Sequence, residues 1–385
     1  MTELLYLKNA YCDEFEATIL SCEKNGEAYD VILDKTAFFP EGGGQAPDKG
    51  TLDGAHVIDV QIHDGVVVHK VESPIEVGEK VSGKLDFALR FSRMQRHSGE
   101  HILSGIVHSL YGYNNVGFHM SDIEMTVDFD GSLTASDLER IEKEVNFTVW
   151  KNLDITVSFP TAEEEKELSF RSKLENIKDL RLVTIEGVDC CACCAPHVLK
   201  TGEIGLVKII DATPNKGGSR LTVLAGEVAL SDYARLNSAN KAMMKTLSVS
   251  REDVADAAKR QVDLVSALKF ENRELSRRLA WSELKPCEVG ASAYAFSKNL
   301  SYDELCYCAN KLSDEGKDIS LLFSGDDDKN YIYVISSATR DVRSIVKSLN
   351  EAFDGRGGGK PNYAQGKIIS ESIEEIEKFV KEILG

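Results

Sequence analysis

The chain has 385 residues, 42% of them hydrophobic and 28% charged, with a formal net charge of −18. That length exceeds one compact core and predicts two or three domains of ordinary globular composition. The acidic balance argues against broad, non-specific nucleic-acid binding while leaving room for local basic surfaces. The N-terminus mixes acidic with apolar residues and does not read as a signal peptide, and no apolar run is long enough to span a bilayer. Nine cysteines, four of them clustered, read as reduced and metal-linked rather than as a secreted disulfide framework. The expectation is a cytoplasmic protein with no membrane partner.

Residues 1–85 read as β structure. Alternation in Glu16–Ser21, then YDVILD, HVIDVQIHDG and VVVHKVE, gives short strands separated by Gly, Asn and Asp turns. Among them lies FFPEGGGQAPDKG, residues 38–50. Three successive glycines, Gly42, Gly43 and Gly44, free the backbone for φ > 0 and close approach. With Gln45 following inside an aromatic and proline frame, the stretch is more than a strand connection requires and reads as functional.

Residues 86–230 carry metal-ligand spacings. Phe91, Met94, His97, His101 and Ile102 follow a helical period, although Gly99 weakens the helix by about 1 kcal/mol. On a helix, His97 and His101 point two imidazoles toward a common centre. VGFHMSDIEMTVDFD reads as a hairpin bearing His119, a candidate pocket residue. Ser136 with Glu139 predicts a capping box for the next helix. ITVSFP reads as a strand, Thr161 to about Leu174 as an acidic helix, and RLVTIEG as a strand entering Cys190-Cys191-Ala192-Cys193-Cys194-Ala195-Pro196-His197. IGLVKIIDATPNKGGSRLTVLAG closes the unit as a hairpin. Cys193 and His197 repeat the four-residue spacing, and three imidazoles with one thiolate suit zinc better than calcium or magnesium. The same cysteines contain CxxC twice, so a separate local metal site or a redox pair competes. Helices mixed with antiparallel strands indicate an α+β domain.

Residues 231–286 read as two helices, one capped by Ser231 and one by Ser250 with Asp253. The second carries a short heptad seam, with Ala258, Val265, Asn272 and Leu279 at a positions and Val254, Gln261, Leu268 and Leu275 at d positions, a coiled-coil-like pattern that predicts self-association. After Pro286, residues 287–385 alternate strands and helices as a small α/β unit. Within it Gly355–Gly366 reads as a glycine loop, where Arg356, Gly357, Gly358, Gly359 and Lys360 could present N–H groups and charge to a phosphate. The loop lacks Walker spacing. Basic residues also gather at Arg90, Arg93 and Arg96 and at Lys208–Arg220, which together hint at an anionic partner.

These stretches together resemble the alanyl-tRNA editing proteins (AlaX family, long form), relatives of the editing and C-terminal domains of alanyl-tRNA synthetase. The resemblance covers nearly the whole chain. FFPEGGGQAPDKG is similar to the family's glycine-rich motif, His97 and His101 to its HxxxH, and Cys193 and His197 to its CxxxH followed by TGEIG. The helical stretch and GRGGGKPNYAQG are similar to the synthetase's C-terminal region. The synthetase's catalytic and anticodon-recognising parts have no counterpart here. The resemblance implies a multidomain α+β protein: a β-barrel-like domain (1–85), a zinc-binding editing domain (86–230), a helical segment (231–286) and a DHH-associated-like domain (287–385). It implies ATP-independent hydrolysis, chiefly of serine and secondarily of glycine, from mischarged tRNA for alanine. One Zn2+ would be held by His97, His101, Cys193 and His197. Glu100, His119 and Gln45 are then the catalytic and pocket candidates, Arg356–Lys360 the RNA contacts, and a homodimer through the helical segment the assembly. The CxxxH here holds Cys194, Ala195 and Pro196 where the family commonly has glycines and threonine, which leaves Cys190 and Cys194 as alternative ligands. Two other readings stay open: an HxxEH metallopeptidase with Glu100 as general base, and a non-catalytic tRNA-binding factor with structural zinc.

Overall fold

Alternating apolar and polar positions curl the N-terminal strands into a barrel. The computed structural model describes residues 2–172, 180–325 and 329–385. Strands β1 (Glu14–Asn25), β2 (Ala28–Leu33), β3 (Gly50–Leu52), β4 (Ala55–His63), β5 (Val66–Val71) and β6 (Lys80–Leu85) close in the order β1-β2-β5-β4-β3-β6. Each neighbouring pair is antiparallel. Phe15, Ala17, Val31, Leu33, Val60, Val67 and Val81 fill the interior. One polar side chain joins them. His69 is wholly buried, its Nδ1–H donating to Val31 O at 3.1 Å and its Nε2 accepting from the Thr36 hydroxyl at 2.8 Å. Thr36 Oγ1 in turn accepts from Phe38 N at 3.1 Å, which fixes the entry to the glycine-rich stretch.

Helix α1 (Phe87–Tyr111) begins where Asp86 accepts from Leu89 N and ends at Gly112, whose left-handed φ of 72° terminates it. Strands β7 (Asn115–Met120) and β8 (Met125–Phe129) form the expected hairpin. Helix α2 (Ala135–Trp150) is capped by Thr134 with Asp137, not by Ser136 with Glu139. Thr134 is the last extended residue, so Ser136 already lies inside the first turn. Strands β9 (Ile155–Ser158), β10 (Leu182–Ile185) and β11 (Asp189–Ala192) make a three-stranded sheet in that order. The acidic stretch after β9 contains only a single 3-10 turn, Glu164–Glu167, in place of the expected helix; the part of that expectation beyond 172 lies outside the described residues. Strands β12 (Val207–Asn215) and β13 (Gly218–Ala225) complete a four-stranded sheet, β12-β13-β8-β7. Helices α1 and α2 pack on it through Met94, Ile102, Leu103, Ile141 and Val145 against Met125, Val127, Leu221 and Val223.

The chain divides into two compact units, Met1–Ala242 and Met243–Gly385. Helix α3 (Glu227–Leu247) crosses that boundary and begins four residues before Ser231, whose hydroxyl bonds Glu227 Oε1 at 2.7 Å from within the helix. Helix α4 (Val254–Glu283) starts after Asp253 without a side-chain cap; Ser250 bonds the Asp253 carboxylate rather than the helix backbone. In the single chain the heptad seam is uncovered, with Val265, Leu268, Leu275 and Leu279 about half exposed.

In the second unit β14 (Cys287–Val289), β15 (Ser292–Ser297), β16 (Ile319–Gly325), β17 (Asn330–Ser337), β18 (Arg356–Lys360) and β19 (Tyr363–Ile369) form one sheet, β14-β15-β16-β17-β19-β18. Among the described residues of this sheet only β15 and β16 pair in parallel, joined by α5 (Tyr302–Asp314). One core joins α5 and the end of α4 to Ala293, Leu322 and Val334. Another joins α6 (Arg343–Ala352) and α7 (Ile373–Leu384) to Leu321, Phe323, Tyr333 and Ile335. Alternate strand residues feed the two cores, so helices cover both faces. The expected glycine loop is instead a hairpin: Arg356–Lys360 is the fully exposed edge strand β18, paired with β19.

Candidate metal centre

Every residue of α1 from Arg93 to Gly105 is buried, including His97, Ser98, Glu100, His101 and Ser104. A helix sunk on all sides with so many polar groups must supply each with a partner, and those partners define a centre. His97 and His101 come from α1; Cys193 and His197 come from the segment after β11. Their four ligand atoms lie within 4.8 Å of one another.

Each imidazole is held from behind by a different group. His97 Nδ1–H donates to Gln45 Oε1 at 2.9 Å. His197 Nδ1 meets Ser98 Oγ at 3.0 Å, a hydroxyl that also accepts from Val198 N. Asp189 Oδ2 stands 3.1 Å from His101 Nδ1, close enough to pair with it although not aligned as a hydrogen bond. Arg171 grips the same carboxylate with two bonds of 2.6 and 2.8 Å. The Nε2 atoms are left to face inward: Cys193 Sγ is 3.5 Å from that of His97 and 3.3 Å from that of His197. A tetrahedral zinc at about 2.0–2.1 Å from nitrogen and about 2.3 Å from sulfur spaces such ligands roughly 3.5 Å apart. The donor set and its spacing therefore fit zinc, and the groups behind the imidazoles are those that orient metal-binding histidines elsewhere.

Electrostatics point the same way. Burial opposes a thiolate at Cys193, but the surrounding imidazoles of His97, His197 and His101 outweigh it and hold its pKa well below the ordinary thiol range. Burial pushes His197 down to about 3, keeping it neutral, as a ligand must be. At His101 burial disfavours the charged form, yet Asp189 and Cys193 raise its pKa well above the usual value.

The structure separates the clustered cysteines. Only Cys193 joins the four-residue group among the described residues. Cys194 is exposed beside the glycine stretch, where a Cβ on Gly43 would lie 3.6 Å from its Sγ, and Cys190 takes a contact from Thr184. Successive extended residues face opposite ways, which sorts them. Cys191 lies near His101 and Asp189, but burial raises its thiol to about 11 and Arg171 already occupies the carboxylate. Arg181 clamps the loop through Cys193 O and Ala195 O.

Of the other candidates, Gln45 is brought into the centre, 1% exposed, with its Nε2 lacking any partner. Glu100 is buried but committed elsewhere, its Oε1 accepting from Ser104 Oγ and from Asn115 Nδ2 at 2.6 Å. Held in this way, the carboxylate is engaged rather than free to serve as the general base of the metallopeptidase reading. His119 is exposed, and on the same strand Phe118 is the residue brought to the centre, its ring 5.1 Å from that of His97. Gly44, at φ +82°, sits where a Cβ would come 2.8 Å from Phe118 Cδ1. Arg356–Lys360 lies in the other compact unit.

Sequence-family models match at three places: "tRNA synthetases class II (A)" over residues 9–89, "Threonyl and Alanyl tRNA synthetase second additional domain" over 180–222, and "DHHA1 domain" over 290–385. The alanyl-tRNA editing protein Aarsd1 of Rattus norvegicus is 27% identical, across 98% of this chain and 97% of its own length. The alanine–tRNA ligase of Methanococcus vannielii is 30% identical over the whole chain, which spans 44% of that enzyme. Among solved structures, the C-Ala domain from Aquifex aeolicus alanyl-tRNA synthetase is 25% identical over 26% of this chain, with a TM-score of 0.24. The family-model matches fall on the barrel, on the segment from β10 into β13, and on the C-terminal sheet. The chain is similar over nearly its full length to alanyl-tRNA editing proteins, and to part of alanine–tRNA ligase.

Proposed function

We propose that the chain is a trans-editing hydrolase that deacylates mischarged tRNA for alanine, releasing serine and secondarily glycine. The observation that carries this is the convergence of three imidazole nitrogens and the Cys193 thiolate beside a buried, unpaired amide donor. His97, His101, Cys193 and His197 would hold zinc, which when bound supplies Lewis-acid charge beside the scissile ester. Gln45 Nε2 would donate to a substrate oxygen. A site built around that donor accepts a serine hydroxyl and is left with an unpaired group against alanine, the arrangement that discriminates best. Phe118 would form an apolar wall excluding bulk water from the ester.

The four-part division at 85, 230 and 286 is the working assignment of roles. In its last part Arg356–Lys360 would contact RNA, its exposed edge strand and two cations being available to phosphate. The uncovered seam of α4 would pair with a second copy. No helix among the described residues is long and apolar enough to cross a membrane. The test is release of serine and of alanine from the alanine tRNA by the full chain, with and without chelator. The expected result is rapid, chelator-sensitive loss of serine with alanine spared. Release of neither, with zinc bound, would instead favour a non-catalytic RNA-binding factor.

A further inference from the structure

Arg90, Arg93 and Arg96 recur every third residue of α1, and none is more than 2% exposed. A buried guanidinium is costly unless a carboxylate and further acceptors compensate it. Arg90 meets that demand: Asp48 pairs with it in a buried ion pair, and Ala10 O and Ala37 O take its remaining protons. Arg93 donates to Pro47 O at 2.5 Å and to Asp122 Oδ1 at 2.8 Å. Arg96 finds no carboxylate within hydrogen-bond reach among the described residues. Its Nε donates to Ser92 O at 3.2 Å, its Nη1 to Ser121 O, and its Nη2 is buried with no partner at all.

Arg93 therefore has one acid in hydrogen-bond contact, which lies on the surface, and Arg96 feels that charge only from further off. The Asp122 side chain is 61% exposed, in the turn between β7 and β8. The hydrogen bond and charge of Arg93, then the charges of the exposed Lys49 and of Arg96, hold the Asp122 carboxyl below its usual range against the opposing effect of burial. The turn closes on itself through Ser121 N and Glu124 O, so it can move as a unit once its contacts with Arg93 and Arg96 open. Its place is informative. Arg93 lies one helical turn, about 5.4 Å, before His97; Pro47 follows Gln45 by two residues, and Ser121 follows Phe118 by three. The segments that bring Gln45 and Phe118 to the metal centre both continue to this basic cluster.

We propose that Arg93, Arg96 and Lys49 form a phosphate site for the RNA strand whose 3′ end enters the metal centre, with Asp122 as a built-in occupant that the phosphate displaces. This rests on the editing reading given above. Displacement exchanges one carboxylate for a phosphate with more acceptor oxygens, which can take the idle Arg96 Nη2 protons as well as those of Arg93. One helical turn is on the scale of a single nucleotide, so the phosphate engaged would belong to the last residues of the strand.

The test uses the full chain with two probes, a single-stranded RNA oligonucleotide ending in CCA and inorganic pyrophosphate. Lys49→Ala alters an exposed residue, so the fold should hold; Asp122→Asn, which removes the acid on Arg93, and Arg96→Gln are each read with a melting control. Asp122→Asn should raise affinity for both probes at least threefold. Lys49→Ala and Arg96→Gln should lower oligonucleotide affinity about five- to tenfold, and each should flatten the dependence of log K on log salt by about 0.7, one phosphate contact. Asp122→Asn and Lys49→Ala both within twofold of the parent for both probes would overturn the site. A response to pyrophosphate without one to the oligonucleotide would overturn its assignment to RNA. If the parent releases serine from tRNA while these variants behave as it does, this site fails and editing stands. If Asp122→Asn gains pyrophosphate affinity while the parent neither binds the oligonucleotide nor edits, the editing reading fails and the assignment to RNA falls with it.

Discussion

Replacing Asp189 with asparagine keeps the shape behind His101 and removes the charge. Of the three groups that hold the imidazoles, Gln45 and Ser98 are neutral and Asp189 is ionic, so its loss should be felt most. Removing an outer partner of a metal-binding histidine typically lowers metal affinity 10- to 100-fold, about 1.4–2.8 kcal/mol. A folding cost comes in addition, because Arg171 loses the charge of its bidentate partner. Its side chain is 19% exposed, so that cost falls below the 3–5 kcal/mol of a wholly buried pair, on the order of 2 kcal/mol. The two effects separate by measurement. Zinc affinity is read by competition with a chromogenic chelator, and folding by melting of the stripped protein. Ser98→Ala, which removes from His197 a neutral bond worth about 0.5–1.5 kcal/mol, should lower zinc affinity tenfold at most. An asparagine variant that holds zinc as tightly as the parent would refute the assignment of Asp189 as a positioning residue, and with it the account of why His101 faces inward.

Three further outcomes are expected. His69 in the barrel is pushed down to about 4 by burial, with the Val31 carbonyl only partly offsetting this; its neutral form is the stable one, so stability is intact above about pH 6.5 and falls as pH drops toward 4. The unfolded chain then takes up a proton that the barrel refuses, at a cost of about 3 kcal/mol, and denaturant melts of the parent against His69→Gln across that window should diverge by this amount. Gly105→Ala places a Cβ 2.4 Å from Val188 O, a backbone atom next to Asp189; it should destabilise by about 1–3 kcal/mol and lower zinc affinity together, read by the same two assays, and an unchanged melt would mean the strand yields freely. Arg356→Ala with Lys360→Ala should weaken tRNA binding similarly for any sequence, without loss of zinc, with the salt slope flattened by about 1–2.

Much of this centre is legible in the sequence because helical spacing is a strong geometric constraint. His97 and His101 could share a point only on a helix, and the buried face of α1 supplies one. The pocket residue was less legible. His119 looked attractive as a lone polar residue in an apolar strand, but period two presents its neighbour, and nothing local says which parity faces the centre until Met120 is known to be buried. The glycine stretch near the C-terminus misled in another way. Glycines lower strand propensity, so a loop was the natural reading, yet the backbone of Arg356–Lys360 has a partner in Tyr363–Ile369 that a local window cannot weigh.

The groups behind the imidazoles were the least visible, for a general reason. Ser98 sits beside His97 in sequence but acts on His197, 99 residues away. Asp189 serves α1 from a strand end, and Arg171 reaches it from beyond β9. Ligands can announce themselves by spacing along one element, because a metal needs them at fixed separations. The residues that orient those ligands are chosen by the tertiary fold, and their sequence distances carry no period. What marks them is burial: an aspartate, a serine and a glutamine that would each be costly inside the protein without a partner. A buried polar residue whose partner is a histidine nitrogen therefore points to a metal centre from the outside inward. By the same reasoning a buried polar atom with no partner, such as Nη2 of Arg96 or Nε2 of Gln45, points to something the chain alone does not supply.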